Sequence, residues 1–200
     1  QWPWCREMIG RLCQNYSRVF GTAVGGDSDY LLWTAADFLD TYAAVTDPGD
    51  EHLCLAILVS QGAVSELVSG NWDPLIEIAL SATDPEARLV PCVTAEDLQT
   101  GLGMPRLLKF HGCAQRALHD PVKYKPYLVV TDDQIGGYRR DTIHALMYNS
   151  LVTLCSVTNT LMIGLSAQDD DIRDVFEDAS AIYQPRWRDD PPRFIFSGAD

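Results

Sequence analysis

A histidine and a glycine, His111–Gly112, come directly after the apolar run "RLLKF". Imidazole titrates near neutrality, so it can take or give a proton under physiological conditions, or orient a neighbouring hydroxyl. A histidine at a strand end is also a common structural residue, so its meaning depends on which other polar groups reach the same place. Three further stretches qualify: "SGNWD", Ser69–Asp73, after "ELV"; "GLSAQDDD" after "TLMI"; and "SGAD" after "RFIF". Any one of them could be a turn, since Gly, Asn, Asp and Ser are the usual turn formers. Together they put Asn71, Asp73 and His111 at the carboxyl ends of apolar runs, as a nucleotide pocket would require.

The elements that must position these groups can be read from hydrophobic spacing. "WCREMIGRLCQNYSRVF" carries Met8, Ile9, Leu12, Cys13, Tyr16, Val19 and Phe20 along one helix face, with Pro3 suited to the first turn. "YLLWTAADFLDTYAAV" repeats the spacing and "TDPGDE" is a turn. "HLCLAILVSQG" reads as a helix ending at Gly62, or as a buried strand. From there strands alternate with helices: "VSELVSG" is a strand, "NWDPLIEIALS" a helix, "ARLVPCV" a strand, "AEDLQTG" a short helix or turn, and "RLLKFHG" a strand. "PYLVVTDDQIGGYRR" is extended and then helical from near Thr131, and "RRDTIHALMYNSLVTLCSV" is a longer helix. "TLMIGLS" is a strand, and "DDDIRDVFEDASAIYQ" is a helix whose first turn is crowded with acids that favour its dipole. "RFIFSGAD" is a last strand. This alternation predicts an α/β fold with a parallel sheet covered by helices on both faces. Such sheets bind ligands outside the carboxyl ends of their strands, where the four polar stretches fall.

Composition narrows the classes. The chain's 200 residues are 46% hydrophobic and 22% charged, the profile of an ordered globular protein, and one domain over 1–200 is expected. The formal net charge of −13 repels phosphate backbones, so no direct nucleic-acid binding is expected. A small phosphate ligand can still be held by backbone N–H groups. The six cysteines form no C-x-x-C pair, against a zinc ribbon or a thioredoxin-type site. Several, as in "HLCLAILV" and "LVTLCSV", lie in apolar runs and are expected to be buried, in keeping with a reducing, cytoplasmic setting. No run approaches the roughly 20 apolar residues that cross a bilayer, so no membrane association is expected. His52, His119 and His144 lack metal-like spacing and read as surface or helix-face residues. Trp2, Trp4 and Trp33 read as core or interface anchors. Asp169–Asp171 read as a helix N-terminus.

In order and spacing, "ELVSGNWDPLIEIAL", "RLLKFHGC", "YLVVTDDQI" and "TLMIGLSAQDDDIRDVF" resemble the SIR2-like domains, most closely the zinc-free branch of prokaryotic defence proteins. "SGNWD" stands where the family has T-x-N-x-D, "KFHG" where it has L-H-G, and "GLSAQDDDI" where it has G-x-S-x-x-D. The resemblance implies a Rossmann-like domain whose first strand and glycine-rich loop do not precede "WPWCREMI" here, so the chain is expected to be an excerpt of a longer protein.

It also implies roles. Asn71 would hold the nicotinamide ribose of NAD and the attacking water, and His111 would act on the ribose hydroxyls; these are the catalytic positions. Ser69, Asp73, Gly164 and Ser166 would contact NAD, with Asp73 on the nicotinamide carboxamide and the last two near the ribose–phosphate. NAD would be substrate, with no metal. The implied activity is hydrolysis of NAD to nicotinamide and ADP-ribose by an effector of antiviral defence. Implied partners are a homo-oligomer or a partner defence subunit, with a phage-derived trigger. The alternatives are an NAD-dependent protein deacylase, which the missing C-x-x-C pairs disfavour, and a catalytically silent sensor of NAD or an ADP-ribose derivative, which the pairing of Asn71 with His111 disfavours.

Overall fold

The computed structural model describes residues 4–28, 30–163 and 170–182, together with the backbone of 194–197. The chain forms two compact units, residues 1–133 and 134–200.

The first unit opens with α1 (Cys5–Gln14) and α2 (Tyr16–Phe20) in place of the single expected helix. Asn15 interrupts it, with φ −129° and ψ 29°, and its side-chain amide donates to the Arg11 carbonyl at 2.8 Å. The break decides burial. Tyr16 and Phe20 pack into an aromatic cluster, whereas Trp4, Met8, Ile9 and Leu12 stay exposed, so Trp4 is no core anchor. Trp33 does pack there, with the Lys125 ammonium 3.8 Å from its ring centroid. A π-helical turn (Leu31–Ala35) and α3 (Phe38–Ala43) replace the next expected helix. Asp37, between them, adopts a left-handed φ of 46°, which a right-handed helix cannot pass through.

The helical reading of "HLCLAILVSQG" holds: α4 (Asp50–Ser60) stops just before Gly62, whose φ is +68°. Its buried residues are Ala56 and Val59. Cys54, two residues from Ala56 and so on another face, is exposed, against expectation.

Then follow β1 (Glu66–Ser69), α5 (Leu75–Thr83), β2 (Val90–Cys92), α6 (Ala95–Thr100), β3 (Arg106–Lys109), α7 (Ala114–His119) and α8 (Pro121–Tyr124). The three strands form a parallel sheet of order β1-β3-β2, with Ser69 opposite Lys109 and Cys92 opposite Leu108. This is the expected α/β fold, a small parallel sheet flanked by helices, with its carboxyl ends on one edge. Leu107 and Leu108 of the central strand are fully buried. Two apolar clusters hold the unit together. One joins Ala56 and Val59 of α4 to Ala79 and Leu80 of α5, with Leu67 packed against them. The other gathers Leu32, Phe38, Trp72, Ala117, Leu128 and Val130. Each large side chain buried there contributes about 1.5–3 kcal/mol.

α9 (Asp132–Gly137) spans the boundary between the units. In the second unit α10 (Ala145–Val157) packs on α11 (Asp170–Ile182), with Tyr148, Leu151 and Val152 buried on the one and Ile172, Val175 and Ala179 on the other. The strands β4 (Thr160–Ile163) and β5 (Phe194–Ser197) pair in parallel. Tyr148 donates to Asp178 Oδ2 at 2.7 Å, and burial followed by that carboxylate pushes its phenol well up. His144 is buried rather than on the surface: the turn before α10 brings Tyr138 onto its ring, stacked at 4.6 Å. Asp171 is likewise buried and accepts from Ile172 N–H at 2.8 Å.

One carboxylate braces the helices behind the first sheet. Asp97 Oδ2 accepts from Val93 N–H at 3.0 Å, from Thr94 N–H at 2.9 Å, and from Arg116 of α7 at 2.9 Å. Burial works against its charge, but these donors outweigh it and hold the carboxyl below its ordinary value of 3.8. A depressed folded-state pKa adds stability above the unfolded value, and that stability is lost as pH falls through the folded one. Asp97→Asn should therefore melt a few degrees below wild type at about pH 7, with the gap closing below about pH 4. Thermal melts across that range test this; a gap that stays constant into acid would remove the ionic role of Asp97.

Candidate functional site

β1 and β3 are parallel neighbours, so the residues leaving their carboxyl ends emerge side by side. The Phe110 N–H donates to the Ser69 carbonyl at 3.3 Å, after which each strand enters a turn. In the first, Ser69 Oγ accepts from Asn71 N–H at 3.1 Å, a turn closed by a hydroxyl. The second contains Phe110 and His111, with ring centroids 4.2 Å apart. The two turns touch at Gly70: a Cβ there would lie 3.3 Å from Phe110 Cζ and 3.6 Å from His111 Nδ1. The fold thus brings Ser69, Asn71, Asp73 and His111 to one edge, as the strand-end pattern predicts. Gly164 and Ser166 lie outside the described residues.

The groups differ in access. Asn71 is exposed and Asp73 half-buried, whereas His111 is only 3% exposed. Asp73 Oδ1 accepts from Leu75 N–H at 3.0 Å, which caps the start of α5. Tyr42 stands nearby; burial, then the charges of Cys13 and Asp73, push its phenol up.

Three residues that the sequence reading left without a role hold this edge together. Trp72, 9% exposed, packs edge-on against Phe38 and Tyr42 at 5.0 Å each, and its indole N–H donates to the Val129 carbonyl at 3.1 Å. Val129 N–H donates in turn to the His111 carbonyl at 3.1 Å. One residue therefore fastens both turns. Lys109, 1% exposed, donates to the Asp73 carbonyl and to Glu77 Oε1, the latter at 3.1 Å. The other Glu77 oxygen is buried with no hydrogen-bond partner among the described residues. A lysine inside "RLLKF" was a readable signal, because a cation in a buried strand needs a partner. Val129 gave none, since its backbone does the work.

The glycine of "HG" has a geometric cause. Gly112 has φ +89°, and a Cβ there would lie 2.7 Å from the Tyr127 oxygen and 2.9 Å from Leu128 Cδ2. Any side chain would push the 127–129 segment away from His111.

This edge can present an exposed neutral amide and a half-buried carboxylate beside an enclosed imidazole. Among the described residues no group of three or more His, Cys, Asp or Glu is placed to hold a metal ion, and no helix is long and apolar enough to cross a membrane. A polar constellation at the carboxyl ends of parallel strands stands where α/β sheets hold their ligands. The SIR2-like domain model matches residues 65–200, and the chain belongs to the SIR2-like family, whose members are NAD-dependent enzymes. No curated protein matches the chain.

Gly112→Ala should cost about 2–4 kcal/mol, from the left-handed backbone and the clash with Tyr127 together. Gly103 has φ +79° and open space around it, so Gly103→Ala should cost only about 1 kcal/mol. Chemical denaturation of both variants tests this. Equal losses would mean that the 127–129 segment does not press on Gly112.

Proposed function

We propose that the chain hydrolyses NAD to nicotinamide and ADP-ribose, with Asn71 and His111 as its catalytic residues. The observation that carries this reading is the contact of the two turns at Gly70, which sets the Asn71 turn against the His111 ring. Family membership supplies the substrate.

In the proposed reaction the bond between the nicotinamide nitrogen and the ribose C1′ breaks, and its electron pair leaves with nicotinamide. Water adds to C1′ and gives up one proton. The transition state carries positive charge on the ribose, so catalysis asks for orientation and polar stabilisation. A neutral amide on an exposed turn can hold both the ribose and the water. The imidazole can orient a ribose hydroxyl or take its proton. Ser69 and Asp73 are assigned to NAD, as are Gly164 and Ser166. The Ser69 hydroxyl also shapes the Asn71 turn.

The family match runs from 65 to 200, across the boundary of the two units, and supports treating that stretch as part of one NAD-using domain, which we take to be 1–200. On the resemblance of its motifs we place it in the zinc-free defence branch, as an effector whose NAD depletion stops an infected cell. In that role it would work in the cytoplasm, as an oligomer or with a partner subunit, under a phage-derived trigger.

Nicotinamide release from NAD, followed with and without phage components, tests the reading. Asn71 is exposed, so Asn71→Ala should change stability by no more than about 1 kcal/mol. Its turnover should fall by roughly 100-fold or more while NAD affinity stays within about tenfold, under roughly 1.4 kcal/mol. His111 is enclosed, so His111→Gln is the better probe than alanine, with a similar loss of turnover. Wild-type turnover in either variant would return that residue to a structural role. Loss of binding together with turnover in Asn71→Ala would favour a sensor.

A further inference from the structure

Lys109 is the last residue of β3, the central strand of the three-stranded sheet, and its neighbours Leu107 and Leu108 are fully buried. An ammonium taken out of water needs a counter-charge and acceptors for its protons. Lys109 finds them in Glu77 Oε1 and in the Asp73 carbonyl. The two acceptors belong to one stretch: Asp73 stands just before α5, and Glu77 is in its first turn. The ammonium therefore fixes where the Asn71 turn ends and α5 begins. His111 follows two residues later in the turn that leaves β3, so a movement of the β3 end carries the imidazole and the anchor of the opposite turn together.

We propose that Lys109 is a positioning residue for the site: through the Asp73 carbonyl, with Glu77 as counter-ion, it keeps Asn71 and Asp73 in register with His111. The kinetic consequence rests on the hydrolase reading above, and the structural consequence on this geometry alone. Lys109 touches no reacting atom, and the turn is also held by the Ser69 hydroxyl at Asn71 N–H, by the Asp73 carboxylate at Leu75 N–H and by Trp72. The Trp72 carbonyl accepts from Ala114 N–H at 2.9 Å, and its indole reaches Val129, so loosening Lys109 leaves the core in place and frees the turn at one end.

The full chain is compared as wild type, Lys109→Met and Lys109→Met/Glu77→Gln. Lys109→Met leaves a partly buried carboxylate without its cation and should melt lower; the double variant removes that charge and should recover most of the loss. Neither variant holds the Asp73 carbonyl, so in both kcat/KM for NAD should fall by roughly 10- to 100-fold. Amide hydrogen exchange should quicken about tenfold or more across residues 71–75 in both, with residues 94–100 unchanged. Recovery of turnover along with melting temperature in the double variant would reduce Lys109 to a structural role and overturn the proposal. Wild-type exchange at 71–75 would overturn it as well. Should wild type itself release no nicotinamide, the hydrolase reading fails, and the exchange pattern alone decides whether Lys109 sets the turn.

Discussion

Val129 uses both sides of its peptide backbone on the candidate site, and the rest of the arrangement depends on that double use. Its N–H holds the His111 carbonyl and its C=O holds the Trp72 indole. The two turns leave neighbouring strands, so the sheet brings them close, but the register of β1 on β3 ends at Ser69 and Lys109. Beyond that point a third segment has to supply the geometry. The segment can approach only because Gly112 has no side chain, and it stays because Leu128 and Val130 on either side of Val129 are buried in the aromatic cluster with Trp72. Packing and hydrogen bonding agree at this residue, and such agreement gives a site a single conformation.

Much of this was legible beforehand, for identifiable reasons. The strand-end rule needs only apolar runs and the polar residues after them, and it placed Ser69, Asn71, Asp73 and His111 on one edge. Spacing and flanking signals found α5, α10 and α11, but left α4 open between a helix and a buried strand, because a continuous apolar run shows no period. It failed at the amino end, where Met8, Ile9 and Leu12 have the pattern of a buried face and lie in solvent. Periodicity shows that a face is apolar, not that anything covers it. It also missed the breaks at Asn15 and Asp37, which depend on a local hydrogen bond and a left-handed backbone rather than on composition. The enclosure of His144 was illegible because its partner, Tyr138, arrives through a turn.

A chain of formal charge −13 in a family that takes NAD as substrate meets an electrostatic problem, since the substrate carries a pyrophosphate. The cation at this edge does not solve it. Lys109 is enclosed and matched to Glu77, so its charge is turned inward to organise the turn. What the edge exposes most is uncharged, the Asn71 amide and the backbone of a small-residue turn, while the half-buried Asp73 carboxylate accepts from Leu75 N–H. Recognition by fixed dipoles is less sensitive to salt than recognition by surface charge. It also tolerates the acidic surface around it.

Cys113 follows Gly112 directly and is 1% exposed, whereas Cys5, Cys13 and Cys54 lie on the surface. A thiol reacts only where a reagent can reach its sulfur. The surface three answer to the reagent alone, but Cys113 answers only when the fold around it opens. The molecule thus carries built-in chemical gauges, since the labelling rate of each buried sulfur, Cys92, Cys113 and Cys155, counts how often the fold around it opens.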